Sequence, residues 1–301
     1  MFRYSIFVAA LLCLFTAPSY ADPVTTLNWV GCGISKKAYL TDLAAAFEKE
    51  NSDIHINIQG GGATKGIRQV MSGEADLGGS CRYNLPDDPR EAGVGLEPVA
   101  WDALVVITHK DNPVDSLSLA QVKDLYTGKI TNWKEVGGPD AKIELYTRKS
   151  KISGVGRTLR KLIFADFDQE LASTKTFNSS GPLEKAIVAT PYSVGMTGIS
   201  SARLRDVKIL KLEDVFPSYE NVKSGKYNLY RPLYLTYNPN STKLAEVKRF
   251  ISFAHSRTGR KIMRDNGTLP YREGLHLVIR QIQQDLSAFH GGATLSIKTN
   301  Q

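Results

Sequence analysis

Glycines and basic residues cluster in this sequence in the places where an anion would be held. Nine of the 25 glycines fall in four short stretches: Gly31/Gly33, Gly60–Gly62, Gly78/Gly79 and Gly154/Gly156. Glycine lets a backbone approach a ligand closely. A helix that starts at such a turn presents unpaired N–H groups and the positive end of its dipole, which suits an oxyanion. Any one stretch reads better as a tight turn; the four together read as ligand contact. Thr64 opens the helix after the triple glycine and adds a hydroxyl donor. Residues 146–165, YTRKSKISGVGRTLRKLIFA, carry six basic side chains, Arg148, Lys149, Lys151, Arg157, Arg160 and Lys161, and no acid lies between Glu144 and Asp166. Arg148 stands where a strand ends, and Ser153-Gly154-Val155-Gly156 where the next helix begins. A guanidinium grips an oxyanion through two parallel N–H bonds, and backbone donors at the helix start would complete the cage. Arg160 and Lys161 read as a solvated helix face.

Other chemistries lack their signatures. There is no G-x-S-x-G and no H-E-x-x-H, and Thr64-Lys65-Gly66 lacks the glycine that precedes the Walker lysine. His55, His109, His255, His276 and His290 show no metal-ligand spacing. The expectation is a binding protein rather than an enzyme, with no cofactor and no metal. The formal charge of +8, from 38 Lys+Arg against 30 Asp+Glu, fits an anionic partner or an ordinary surface. Aromatic residues do not interleave with the basic run, which argues against nucleic acid.

The elements that position these residues follow from periodicity. The length of 301 residues suggests two domains, and 42% hydrophobic with 23% charged residues excludes a disordered or fibrous chain. Met1–Ala21 reads as a cleavable export signal: Arg3 supplies the positive end, Ile6–Phe15 the apolar run, and Ser19 and Ala21 the small residues before the cut. Export implies a periplasmic protein, and it removes Cys13 and leaves Cys32 and Cys81. Strands at 26–30, 54–58 and 75–79 alternate with helices at 36–50 and 64–72, which implies parallel pairing with right-handed crossovers. The long apolar strands at 98–108 and 229–237 are natural crossings between two domains that no linker separates. Domain I is therefore expected to be discontinuous, 22–104 with 234–301, and domain II to span 105–233. Gly291–Gln301 reads as a frayed tail.

The stretches GGGATKGIRQVMSGEADLGGS, YTGKITNWKEVGG, TPYSVGMTGIS, YRPLYLTYNPN and GRKIMRDNGTLPY, with the Arg148-to-Gly154 segment, give the chain a resemblance to the periplasmic phosphate-binding proteins of ABC importers. The likeness covers roughly Leu27–Tyr271, and Lys129–Trp133 is its most specific short motif, with Trp133 structural. The resemblance implies an α/β, two-lobed Venus-flytrap fold (the type II periplasmic-binding-protein fold) of two interleaved domains closing on a dehydrated oxyanion. It implies a monomer that serves an ABC-transporter permease; a sensor that reports an anion to a membrane receptor would use the same fold. Carried over position by position, the ligand shell comprises Gly33, Ile34, Ala63, Thr64, Ser80, Cys81, Arg148, Ser153, Gly154 and Val155. The sequence departs from the family where Ala63 replaces serine, Cys81 replaces aspartate and Val155 replaces threonine, and the Arg148–Ser153 spacing is one residue longer. A carboxylate at position 81 would select a protonated oxyanion; its loss admits other oxyanions beside phosphate. The implied topology makes Cys32 and Cys81 neighbours at the cleft, which implies a Cys32–Cys81 disulfide, with a pair of free thiols binding a soft, thiophilic species as the rival.

Overall fold

The computed structural model describes residues 24–290, so the export signal at Met1–Ala21 and the tail at Gly291–Gln301 lie outside the described residues. Thr25–Gly31 (β1) lies between two parallel partners, Ile54–Gly60 (β2) and Leu77–Ser80 (β3). The β1–β2 crossover is a continuous helical run, α1, made of Gly33–Ser35, a π-helical turn at Lys36–Leu40 and Thr41–Glu50. It buries Leu40, Leu43, Ala44 and Phe47, the face that the 3.6-residue spacing marks in the sequence. It starts three residues earlier than the periodicity indicates, at Gly33, because its first turn has a single apolar side chain. The β2–β3 crossover is Ala63–Ser72 (α2).

Gly95–His109 (β4) links the two lobes. Its residues 95–103 pair with Tyr230–Tyr237 (β9), and from Leu104 onward it pairs with Ser193–Gly198 (β7). Leu119–Tyr126 (α3) starts the second lobe under a Ser118–Gln121 capping box. Glu144–Arg148 (β5) lies parallel to Lys175–Phe177 (β6) and to β7, and Val207–Ile209 (β8) also joins β4. The helices of this lobe that concern the site are Gly154–Leu159, continued by a π-helical turn at Arg160–Phe164 (α4), and Ser180–Ala189 (α5). The chain returns through β9 to Leu244–His255 (α6), Arg257–Asp265 (α7) and Leu269–Pro270 (β10), then ends in Leu277–Phe289 (α8). The sheet runs β2-β1-β3-β9-β4-β7-β5-β6, with β8 and β10 paired to β4. The result is two α/β lobes on one continuous sheet.

Trp133 is fully buried and its Nε1 donates to the Tyr192 carbonyl at 2.8 Å, a packing role for the tryptophan of the Lys129–Trp133 motif. Arg160 and Lys161 correct the sequence reading, since both are buried rather than solvated. Arg160 donates to the carbonyls of Gln169 (2.8 Å) and Gly156 (3.1 Å), and the Lys161 ammonium pairs with Asp285 of α8 at 2.7 Å. Periodicity within α4 could not show that a helix more than 110 residues later covers that face.

Candidate functional site

The carboxyl ends of β1, β2 and β3 face the start of α4 and α5 across an open cleft of about 710 Å³, a size usual for small-molecule sites. Gly33, Ala63, Thr64, Cys81, Arg148, Ser153, Gly154 and Val155, from both lobes, line it together with Cys32. Ile34 and Ser80, also expected there, do not. The Ile34 side chain turns into the core in the first turn of α1, and the Ser80 hydroxyl donates to the Arg82 carbonyl at 2.7 Å.

Two glycines explain why the loops fit. Gly62 precedes α2 with a φ of 85°, a conformation that costs other residues steric strain. Gly154 abuts the other lobe: a Cβ there would lie 2.2 Å from the Cys81 sulfur. The Thr64 hydroxyl, expected to face a ligand, donates to the Ile152 carbonyl of the opposite lobe at 3.3 Å. The Arg82 Nε donates to the same carbonyl at 2.8 Å. These bonds tie the 149–153 loop to the first lobe along one edge of the cleft.

The wall is cationic. Lys37, Arg68, Arg148 and Arg205 line the cleft, and no Asp or Glu is among its lining residues. Lys37 and Arg205 are tethered from behind by Glu184, which is 0% exposed, at 3.3 and 3.1 Å. Asp88 and Glu91 hold Arg68 in the same way. Arg148 has no carboxylate partner among the described residues. It donates to the carbonyls of Phe177 (3.3 Å) and Asn178 and to the Ser180 hydroxyl (3.0 Å), which fixes the loop leading into α5. Burial lowers its pKa from the usual arginine value, opposed in part by the charges of Cys32, Cys81 and Glu184. Four helices, α1, α2, α4 and α5, begin at the cleft. None of α1, α2 and α5 has a side-chain cap at its start, and α4 is capped by the Ser153 hydroxyl, which accepts from the Gly156 N–H at 3.1 Å. Uncapped N–H groups together with unneutralised guanidinium make an anion receptor.

A family model described as a PBP superfamily domain matches residues 31–258, a span that takes in both lobes and every lining residue. Phosphate-binding protein PstS of Bacillus subtilis is 32% identical over 76% of each chain, and that of Borreliella burgdorferi 27% identical over 80% of this chain and 88% of its own. The chain belongs to the phosphate-binding-protein-like family of the PBP superfamily. A Clostridium perfringens structure, described as a phosphate ABC transporter substrate-binding protein and solved with bound phosphate, superposes with a TM-score of 0.72 at 30% identity. That match covers 82% of this chain and 99% of the other.

Within this family fold, a buried ion pair that the sequence reading did not single out lies beneath the cleft. Arg231 of β9 is 1% exposed and lies under the two cysteines. It donates to the Gly154 carbonyl at 3.2 Å and pairs with buried Asp102 at 3.4 Å. The signal was present: one arginine inside an eight-residue apolar strand must be buried with a partner. Lys37, Ser180 and Arg205 were missed as well, because nothing local marks a surface lysine, serine or arginine as cleft-facing.

Cys32 and Cys81, the pair expected to form a disulfide, stand as thiols with their sulfurs 3.2 Å apart. The hydrogen bond between the two sulfurs, with Arg231 and the backbone N–H groups of Ser35 and Ile34, lowers the Cys32 pKa to about 6 against the penalty of burial. The same hydrogen bond and burial raise that of Cys81. A reduced sample should show a thiolate ultraviolet absorbance with a midpoint near pH 6. Cys81→Ala should move that midpoint upward; an unmoved midpoint would show that the S–H donor is not what sets it. The stability linked to this thiolate is present above the ordinary thiol pKa of about 8.5 and is lost as pH falls through about 6.

Proposed function

We propose that the protein captures phosphate between its two lobes and delivers it to an ABC importer. A cleft with four cations, no lining carboxylate and four helix starts is the observation that carries this reading. The names of the Bacillus subtilis and Borreliella burgdorferi relatives, and the phosphate in the Clostridium perfringens structure, support it. The family is one of solute-binding proteins, so the mechanism is differential closure: a ligand that contacts both walls favours the closed arrangement by its difference in affinity for the two states. Arg148 and the start of α4 supply one wall, and the starts of α1 and α2 the other. The reading of Met1–Ala21 as an export signal supports a periplasmic location, where a permease of the importer would receive the loaded form.

Ala63 and Val155 leave backbone donors where the resemblance implies hydroxyls, and Cys81 leaves no carboxylate acceptor. Phosphate at 100 times its dissociation constant should still add about 2.7 kcal/mol of stability, read as a rise in melting temperature. Sulfate, lacking the proton that a carboxylate would select, should stabilise the protein as well. No response to either ion would overturn the oxyanion reading, and a response to sulfate alone would overturn phosphate as the ligand.

A further inference from the structure

We propose that Cys32 and Cys81 form a second, covalent ligand site in the floor of the cleft for the neutral hydroxide of a trivalent thiophilic element, with arsenous acid as its prototype. The site needs only the cleft and its two thiols and does not rest on the phosphate reading.

Placement comes first. The two residues are only 6% and 2% exposed, yet both line the cleft, so a small neutral molecule entering it meets both sulfurs. Spacing then selects the ligand. Bonds of about 2.3 Å to sulfur, meeting near a right angle at a pyramidal trivalent centre, set the sulfurs about 3.3 Å apart; linear two-coordination by a soft monovalent or divalent ion needs about 4.6 Å. The observed 3.2 Å fits the pyramidal centre. Tetrahedral metals are disfavoured for a separate reason: no group of three or more His, Cys, Asp or Glu side chains able to hold a metal occurs among the described residues.

The pair is also poised for exchange. The hydrogen bond between the sulfurs and Arg231 beneath them lower the Cys32 pKa and so favour its thiolate, the nucleophilic form of cysteine, while the Cys81 pKa is raised and favours the thiol. The Cys32 sulfur forms a bond to arsenic, and the displaced hydroxide leaves as water with the proton of Cys81. The Cys81 sulfur then forms the second bond and a second hydroxide leaves to solvent. One thiolate, one thiol and As(OH)3 thus give a bis-thiolate arsenic hydroxide, one water and one hydroxide. Arsenic stays trivalent, so no oxidant or reductant is consumed.

The test uses the full chain isolated from the exported fraction without reductant. Denaturing thiol titration should find two thiols per chain. After incubation with sodium arsenite and gel filtration, one arsenic should remain per chain, both thiols should disappear from the titration, and the intact mass should rise by AsOH less two hydrogens. Cys32→Ser and Cys81→Ser should each lose retention by at least a hundredfold while still melting cooperatively, which shows that they are folded. No titratable thiol in the exported protein, no retained arsenic, or equal retention by a single-serine variant would overturn the proposal. Phosphate calorimetry on arsenic-free protein reads the anion reading separately, so either can fail alone.

Discussion

Replacing Arg148 with alanine should weaken phosphate binding by a factor of roughly thirty to several thousand, the equivalent of about 2–5 kcal/mol for a buried charge pair that loses one member. The size of the effect follows from how the charges at the wall are held. Lys37, Arg68 and Arg205 are each paired with a carboxylate behind the wall, so part of their field is already spent. Arg148 is held only by neutral groups, two carbonyls and one hydroxyl, so its charge is the one a bound anion would neutralise. Arg148→Lys keeps the charge but loses the planar fork and should fall between wild type and alanine. Because Arg148 also secures the loop into α5, melting curves of the variants separate lost affinity from lost structure. Calorimetry showing unchanged affinity in a folded alanine variant would remove Arg148 from the site.

Arg231→Met should cost about 3–5 kcal/mol of folding stability, because it leaves buried Asp102 without its cation. Asp102 would keep the Ser200 N–H (3.2 Å) and hydroxyl (2.7 Å), which solvate one of its oxygens and leave the other bare. Burial already raises its pKa, so the carboxyl would be driven further toward its neutral form. Adding Asp102→Asn should recover most of the loss, since the unpaired charge is then gone. Urea denaturation of the two single variants and the double variant measures this coupling; a double variant as unstable as the sum of the singles would show that the pair does not act as a unit. In reduced protein Arg231→Met should also raise the Cys32 midpoint above pH 6, because the cation under the thiolate is lost.

Much of the architecture was legible before any coordinates. Alternation at Ile54, Ile56 and Ile58 and the apolar face of α1 are local consequences of periods of two and 3.6 residues, and both formed where they were read. The long apolar run at 98–108 became the strand shared by the two lobes, since a strand buried on both faces cannot hide its composition. The cleft residues on glycine turns and helix starts were legible for the same reason: backbone donors are set by local conformation. Ile34 and Ser80 lie outside the cleft lining because a residue at a strand end or in a first turn can face the ligand or the core, and its neighbours in space decide which.

The sequence by itself determined the α/β pattern, the glycine-rich helix starts, the acid-free basic segment and the pair of cysteines left after the export signal. Only the tertiary structure decided where charge resides. It buried Lys161 under α8 against Asp285, put Arg231 and Asp102 beneath the cleft, turned Glu184 behind Lys37 and Arg205, and brought the two sulfurs to 3.2 Å. The reason is physical: conformational preference acts over a few residues, whereas Coulomb energy and desolvation depend on distances through space between groups as far apart in the chain as Asp102 and Arg231.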